Sequence, residues 1–212
     1  MLSLRDITIS IADEMPLISG LSVDIEPGSL RLIQGASGSG KSTLLSVICG
    51  TADRNVHATG DVLLNGRVVS GLDAEDRRIG LMFQDPLLFP HMSISDNLAI
   101  ALAAHHRHDR KARVSDALEL AGLAGFEGRD PATLSGGQAA RAALMRTLLA
   151  EPEALLMDEA FSALDPELRH AFGGFVRTQI AERRIPALLV SHDAADAMFA
   201  DDGIIRIWNH SA

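Results

Sequence analysis

The sequence predicts an α/β fold built around a phosphate-binding loop, on three observations. Residues 35–43, Gly35-Ala36-Ser37-Gly38-Ser39-Gly40-Lys41-Ser42-Thr43, match the pattern G-x-x-x-x-G-K-[ST] at every fixed position. They stand between an apolar run at Leu30, Leu32 and Ile33 and helically spaced Leu44, Leu45, Val47 and Ile48, the strand, loop, helix context that the pattern needs. Two further short apolar runs, 154–157 and 187–190, flank a helical pattern and read as buried strands.

At 212 residues, with 47% hydrophobic and 22% charged residues, the chain can bury a full core, and one compact unit over 1–212 with room for a subdomain is expected. No apolar stretch approaches a membrane span, and Met1-Leu2-Ser3-Leu4-Arg5-Asp6 has neither the basic nor the apolar region of a secretory signal, so a cytosolic chain is expected. The single cysteine, Cys49, excludes an internal disulfide and reads as a small core residue. A formal net charge of −9 argues against broad nucleic-acid binding, and no nucleic-acid partner is expected.

The elements are read in chain order. Leu2, Leu4, Ile7, Ile9 and Ile11 alternate as in a strand but change phase near Arg5-Asp6, which predicts a bulge or break. Leu21, Val23 and Ile25 give a second strand, and residues 61–69 a hairpin turning at Asn65-Gly66. The apolar run 79–83 ends at Gln84-Asp85-Pro86, where proline disfavours helix in the residue before it and a loop begins. Ser93 or Ser95 is expected to cap a helix through Asn97 to Ala104, and Val114, Ala117, Leu118 and Ala121 continue the helical spacing. Between them, the clustered histidines of 105–111 lack a carboxylate or cysteine framework for a metal and read as a solvated loop. A Gly-rich connection over 122–131 leads to a helix over 132–150. Asp165-Pro166 starts another helix with Leu168, Phe172, Phe175, Val176 and Ile180 on one face, and residues 204–208, ending in Trp208, read as a last strand.

Three groups carry chemistry. In the loop, Gly35, Gly38 and Gly40 allow backbone N–H groups to turn inward around phosphates at a helix N-terminus. Lys41 offers an ammonium to the outer phosphates, and the Ser42 hydroxyl is placed to ligate a bridging Mg²⁺. The strand Leu155-Leu156-Met157-Asp158-Glu159 ends in two carboxylates, one suited to the Mg²⁺ shell and the next to polarising a water. Finally, Leu134-Ser135-Gly136-Gly137-Gln138 places small residues before an Ala-rich helix, an anion site for which a single chain has no internal use.

In this order, residues 35–43, Gln84, 134–138, 155–159, Ser162-Ala163-Leu164-Asp165 and His192 resemble the ATP-binding subunits of ABC transporters over nearly the whole chain. The resemblance implies a P-loop NTPase with a RecA-like core, an antiparallel β-subdomain and a helical subdomain at about 91–150. It implies ATP and Mg²⁺ as ligands, with the loop residues, Ser135, Gly136, Gly137 and Gln138 on nucleotide and Ser42, Gln84 and Asp158 at the metal. Glu159 becomes the catalytic base, His192 a γ-phosphate sensor, and Gln84 a further catalytic residue. The family's two copies clasp ATP head to tail, between the Lys41 loop of one and the Ser135 segment of the other. The stretch from Gln84 to Ser93 resembles the bacterial importer branch, in a short form. That implies permease subunits, an extracytoplasmic solute-binding protein, and a peripheral position on the cytoplasmic face of the cell (inner) membrane. Ala160 stands where the family usually has proline, and Ala139-Ala140-Arg141 replaces a more basic run. The chain has no aromatic residue before Phe83 to stack on adenine, leaving Ile11 or Met15 as apolar substitutes. As for other readings, a small-molecule kinase has no need of residues 134–138, and relatives acting in repair or translation carry coiled coils, zinc modules or a second cassette.

Overall fold

Alternation of apolar residues builds an antiparallel sheet at the N-terminus. In the computed structural model, which describes residues 1–12, 15–102, 104–201 and 203–207, excepting the side chains of residues 104, 105 and 107, β1 spans Leu2–Ile11. It lies between β2 (Ile18–Ile25) and β4 (Val56–Leu64), and β5 (Arg67–Val68) completes the order β2-β1-β4-β5. The phase change is a bulge: pairing runs Arg5 to Asp61 and then Thr8 to Thr59, so Asp6 and Ile7 oppose Gly60 alone. Asp6 takes φ 52°, and a Cβ on Gly60 would sit 2.5 Å from the Arg5 and Asp6 carbonyl oxygens. The extra residue lets Leu2, Leu4, Ile7 and Ile9 all face the core. The hairpin turns at Asn65-Gly66, both at positive φ, and Leu63 pairs with Val68.

The second sheet is parallel, in the order β6-β7-β8-β3-β9, from β3 (Leu30–Gln34), β6 (Ile79–Met82), which follows the one-turn helix α2 (Ala74–Arg77), β7 (Ala154–Asp158), β8 (Ala187–Ser191) and β9 (Ile204–Arg206). Its central strands are apolar on both faces because both are covered. Leu155, Met157 and Leu189 pack among the helices α3 (Ile94–Ala99), α4 (Arg110–Leu120), α5 (Gly136–Leu149) and α6 (Pro166–Arg183). The alternate residues Ala154, Leu156 and Leu188 pack instead with α1 (Lys41–Cys49) and the antiparallel sheet. Cys49 belongs to that second cluster, and burial pushes its thiol up to about 11.

Several boundaries differ from expectation. Ser93 caps α3, accepting from the Asp96 N–H at 3.1 Å, but the helix stops at Ala99 instead of Ala104, because the buried face ends there and Ile100 is exposed. The 105–111 segment is helical where a loop is expected, although residues 108–111 are exposed as expected. Ala104–Asp109 forms a 3-10 helix running into α4, and His106 turns inward with Nε2 at 2.6 Å from Glu151 Oε1. Gly136 starts α5, later than the expected residue 132, since Ser135 is extended and Pro131–Thr133 forms its own short turn. On α6, Asp165 caps as expected and Phe172, Val176 and Ile180 are buried, whereas Leu168 is exposed. The expected strand residue Trp208 lies outside the described residues.

Candidate active site

Parallel strands deliver the residues beyond their C-terminal ends to one edge of the sheet. Here β3 leads into the glycine loop, β6 toward Gln84, β7 ends on Asp158 and Glu159, and β8 on Ser191 and His192. Because β8 lies between β3 and β7, His192 emerges between the loop and the carboxylates.

The loop is tightly built at its base and open at its rim. A Cβ on Gly35 would stand 2.6 Å from Ser39 Oγ and 2.8 Å from the Ile207 carbonyl oxygen, so only glycine fits. Gly40 takes φ 88° as it starts α1, while the rim residues Ala36, Ser37 and Gly38 are exposed. Lys41 is 4% exposed, and its Nζ donates to the carbonyl oxygens of Gly35 at 2.9 Å and Ala36 at 2.8 Å. Beside it, Ser42 and Thr43 line an open cleft of about 660 Å³ together with Gln84, Asp158 and Glu159.

Glu159 is held from both sides. At φ 48° it occupies left-handed backbone, with its N–H on the Val190 carbonyl at 2.9 Å and its own carbonyl accepting from Ser162 N and Oγ at 3.0 and 2.8 Å. Its Oε2 lies 3.0 Å from His192 Nδ1 and its Oε1 3.8 Å from Lys41 Nζ. A carboxylate so placed, beside a cation and an imidazole and facing the cleft, can take a proton from a water there.

Burial raises the Asp158 carboxyl above its ordinary range, opposed by a hydrogen bond with Ser42. Its Oδ1 is buried with no partner among the described residues. Ser42 and Asp158 are hard oxygen donors that fit a Mg²⁺, the orphaned Oδ1 in particular, and Gln84 stands on the same cleft. Among the described residues no three His, Cys, Asp or Glu side chains cluster as a metal site, so such an ion relies on phosphate oxygens as well. Because burial raises the folded carboxyl above its unfolded value, the native state loses stability as pH rises from the unfolded value through the raised one. Asp158→Asn should therefore raise Tm at pH 7 by about 2–4 °C, the shift about 1 kcal/mol produces at this chain length, while removing Mg²⁺-dependent turnover. A lower Tm in a thermal melt would refute this account of Asp158.

Ser135, Gly136, Gly137 and Gln138 do not line the cleft. They form the start of α5, where a capping box joins Gln138 N–H to Ser135 Oγ at 3.3 Å and Ser135 N–H to Gln138 Oε1 at 3.0 Å. Ser135 and Gly136 are exposed. Of the two apolar candidates for a base, Ile11 lines the cleft, joined by Leu17, while Met15 does not and is 73% exposed.

Sequence reasoning passed over the residues that hold the 86–89 loop. Fully buried Asn97 accepts from Phe89 N–H at 2.6 Å and donates to the carbonyls of Phe89, Met92 and Ser93. Arg146 donates to the Leu87 and Pro86 carbonyls at 2.7 and 3.0 Å. A polar residue on an otherwise inward helix face was the available signal for Asn97.

A family model described as ABC transporter matches residues 18–162. YnjD of Escherichia coli K12, an uncharacterized ABC transporter ATP-binding protein, is 40% identical over 100% of this chain and 98% of its own length. The sulfate/thiosulfate import ATP-binding proteins CysA of Mycobacterium bovis and E. coli K12 are 41% and 38% identical over 85% and 89% of this chain. The alignments span about half of those two proteins, 51% and 53%. Among solved structures, the dimeric ATP-binding cassette MJ0796 in a post-hydrolysis state with ADP and Pi matches with a TM-score of 0.80 at 28% identity, over 99% of this chain and 97% of that one.

Proposed function

The chain belongs to the ABC transporter family of ATP-binding proteins, and we propose that within it the chain is the ATP-hydrolysing subunit of a transporter importing a small solute. The observation that carries the proposal is the convergence of Lys41, Glu159 and His192 beside the glycine loop. The loop N–H groups cradle the phosphates, and Lys41 exchanges its carbonyl partners for β- and γ-phosphate oxygens. Ser42, Asp158 and Gln84 would hold a Mg²⁺, which would neutralise charge on those oxygens. Glu159 accepts a proton from water as the water oxygen bonds to the γ-phosphorus, and the bond from that phosphorus to the β-γ bridging oxygen breaks, releasing ADP and phosphate. His192 orients Glu159 through the 3.0 Å contact and senses the γ-phosphate.

A second copy completes each site in this reading. The exposed Ser135-Gly136 edge at the N-terminus of α5 presents N–H groups to the γ-phosphate held by the other copy, as supported by the dimeric relatives. Residues 91–150 act as the helical subdomain that carries this edge. The other partners are permease subunits and an extracytoplasmic solute-binding protein. No described helix is long and apolar enough to cross a membrane. Held by the permease, the chain sits peripherally on the cytoplasmic face of the inner membrane. No nucleic-acid partner is proposed.

The permease docks on the loop after Gln84. Leu87 and Phe89 are 55% and 40% exposed there and Phe83 is 45% exposed, on a loop braced by Asn97 and Arg146. Leu88, between them in the chain, packs against the core, so its substitution would unfold the loop. Phe89→Glu should abolish copurification with a multispanning membrane protein and, because Phe89 does not line the nucleotide cleft as Leu87 does, leave ATP binding within about twofold, since burying a charge in an apolar interface is prohibitive. Undiminished recovery in the membrane fraction would place the interface elsewhere.

A further inference from the structure

His192 is 49% exposed, so no packing shell sets its ring, and its aim at Glu159 depends on the backbone to either side. Both flanks are fixed by polar contacts that lead to one residue on α6. Arg169 Nη1 donates to Asp193 Oδ2, while Asp193 Oδ1 accepts from Ala195 N–H at 2.9 Å. The Asp193 N–H donates to Ser191 Oγ at 3.0 Å, and that hydroxyl donates to Oδ2 of the fully buried Asp196 at 2.6 Å. Asp196 Oδ1 lies 3.9 Å from the same Arg169 nitrogen. Arg169 is itself rooted: it is 15% exposed, and its N–H donates to the Asp165 carbonyl at 2.8 Å in the first turn of α6.

We propose that Arg169 is a positioning residue for ATP hydrolysis, which, through Asp193 and the Ser191-Asp196 pair, holds His192 against Glu159. The proposal rests on the hydrolytic reading of the site. A cation is needed at this place because Asp193 and Asp196 both face it. Without it the carboxylates repel, the 191–196 turn loosens, and the imidazole leaves its line to Glu159. Displacement of a catalytic contact by about 1 Å is worth on the order of 100-fold in rate.

The test is a double-mutant comparison by steady-state phosphate release with purified protein, ATP and Mg²⁺. Arg169→Ala should lower kcat about 10- to 100-fold with KM for ATP within about threefold, since the glycine loop and Lys41, which hold the triphosphate in this reading, are left in place. Arg169→Lys should recover part of the loss, as an ammonium still pairs with Asp193. In a His192→Ala background the Arg169→Ala change should cost nothing further, because both act through one group. Losses that multiply in the double variant, or an Arg169→Ala kcat within twofold of the parent, overturn the proposal. If Arg169→Ala does not fold, Asp193→Asn carries the same comparison, because its amide oxygen keeps the Ala195 contact and only the charge pairing is lost. A His192→Ala protein at parental rate would sink the role of His192 and this proposal together. A slow His192→Ala beside a parental Arg169→Ala sinks the proposal alone.

Discussion

With ATP and Mg²⁺, the Glu159→Gln variant is expected to accumulate as a dimer that the parent chain forms only transiently, and to turn over about 10²- to 10⁴-fold more slowly, the range that a positioned general base contributes. Glutamine keeps the shape of the side chain and can still meet His192, 3.0 Å from the carboxylate in the parent. It cannot accept the proton of the attacking water, so hydrolysis no longer reopens the pair. It also removes a negative charge 3.8 Å from Lys41, freeing that ammonium for phosphate. Size-exclusion chromatography with light scattering reads the outcome. Ser135→Arg added to Glu159→Gln should restore the monomer by crowding the γ-phosphate across the interface. Because Ser135 caps α5, its loss alone weakens the helix by about 1 kcal/mol, so Ser135→Ala is the needed control and should still dimerise. A Glu159→Gln chain that stays monomeric at saturating ATP, alone and with its permease, would end the head-to-tail proposal.

Lys41→Ala should reduce ATP turnover by at least about 100-fold, the loss typical when a preorganised charge partner of the transition state is deleted. Lys41 is buried at the start of α1 and carries the ammonium nearest Glu159, with its donors now on the Gly35 and Ala36 carbonyls. Without it those carbonyls face the triphosphate unmasked, so affinity should fall along with kcat. Folding should survive, since alanine is the best residue for the first turn of α1. Phosphate release within a few-fold of the parent, from a protein with an unchanged melt, would show that residues 35–43 do not hold the reacting nucleotide.

Short-range stereochemistry is legible in the chain alone. Glycine at 35, 38 and 40 marks the loop because no side chain fits or tolerates those angles, and Asn65-Gly66 marks a hairpin for the same reason. Asp165-Pro166 announces a helix start, and the phase change at Arg5-Asp6 announces the bulge, because caps and periodicity are read within a few residues. Long-range packing set the remainder. The order β6-β7-β8-β3-β9, which puts His192 between loop and carboxylates, comes from pairing among segments far apart in the chain. Arg146 reaches the Leu87 carbonyl across 59 residues, and Arg169 reaches Asp193 across 24, neither spacing having a local signature. The same holds for His106, turned in toward Glu151, and for Leu87 and Leu88, adjacent residues that part to solvent and core. Which polar group is buried, and against what, is settled only when distant surfaces meet, because desolvation depends on every element packed around the site.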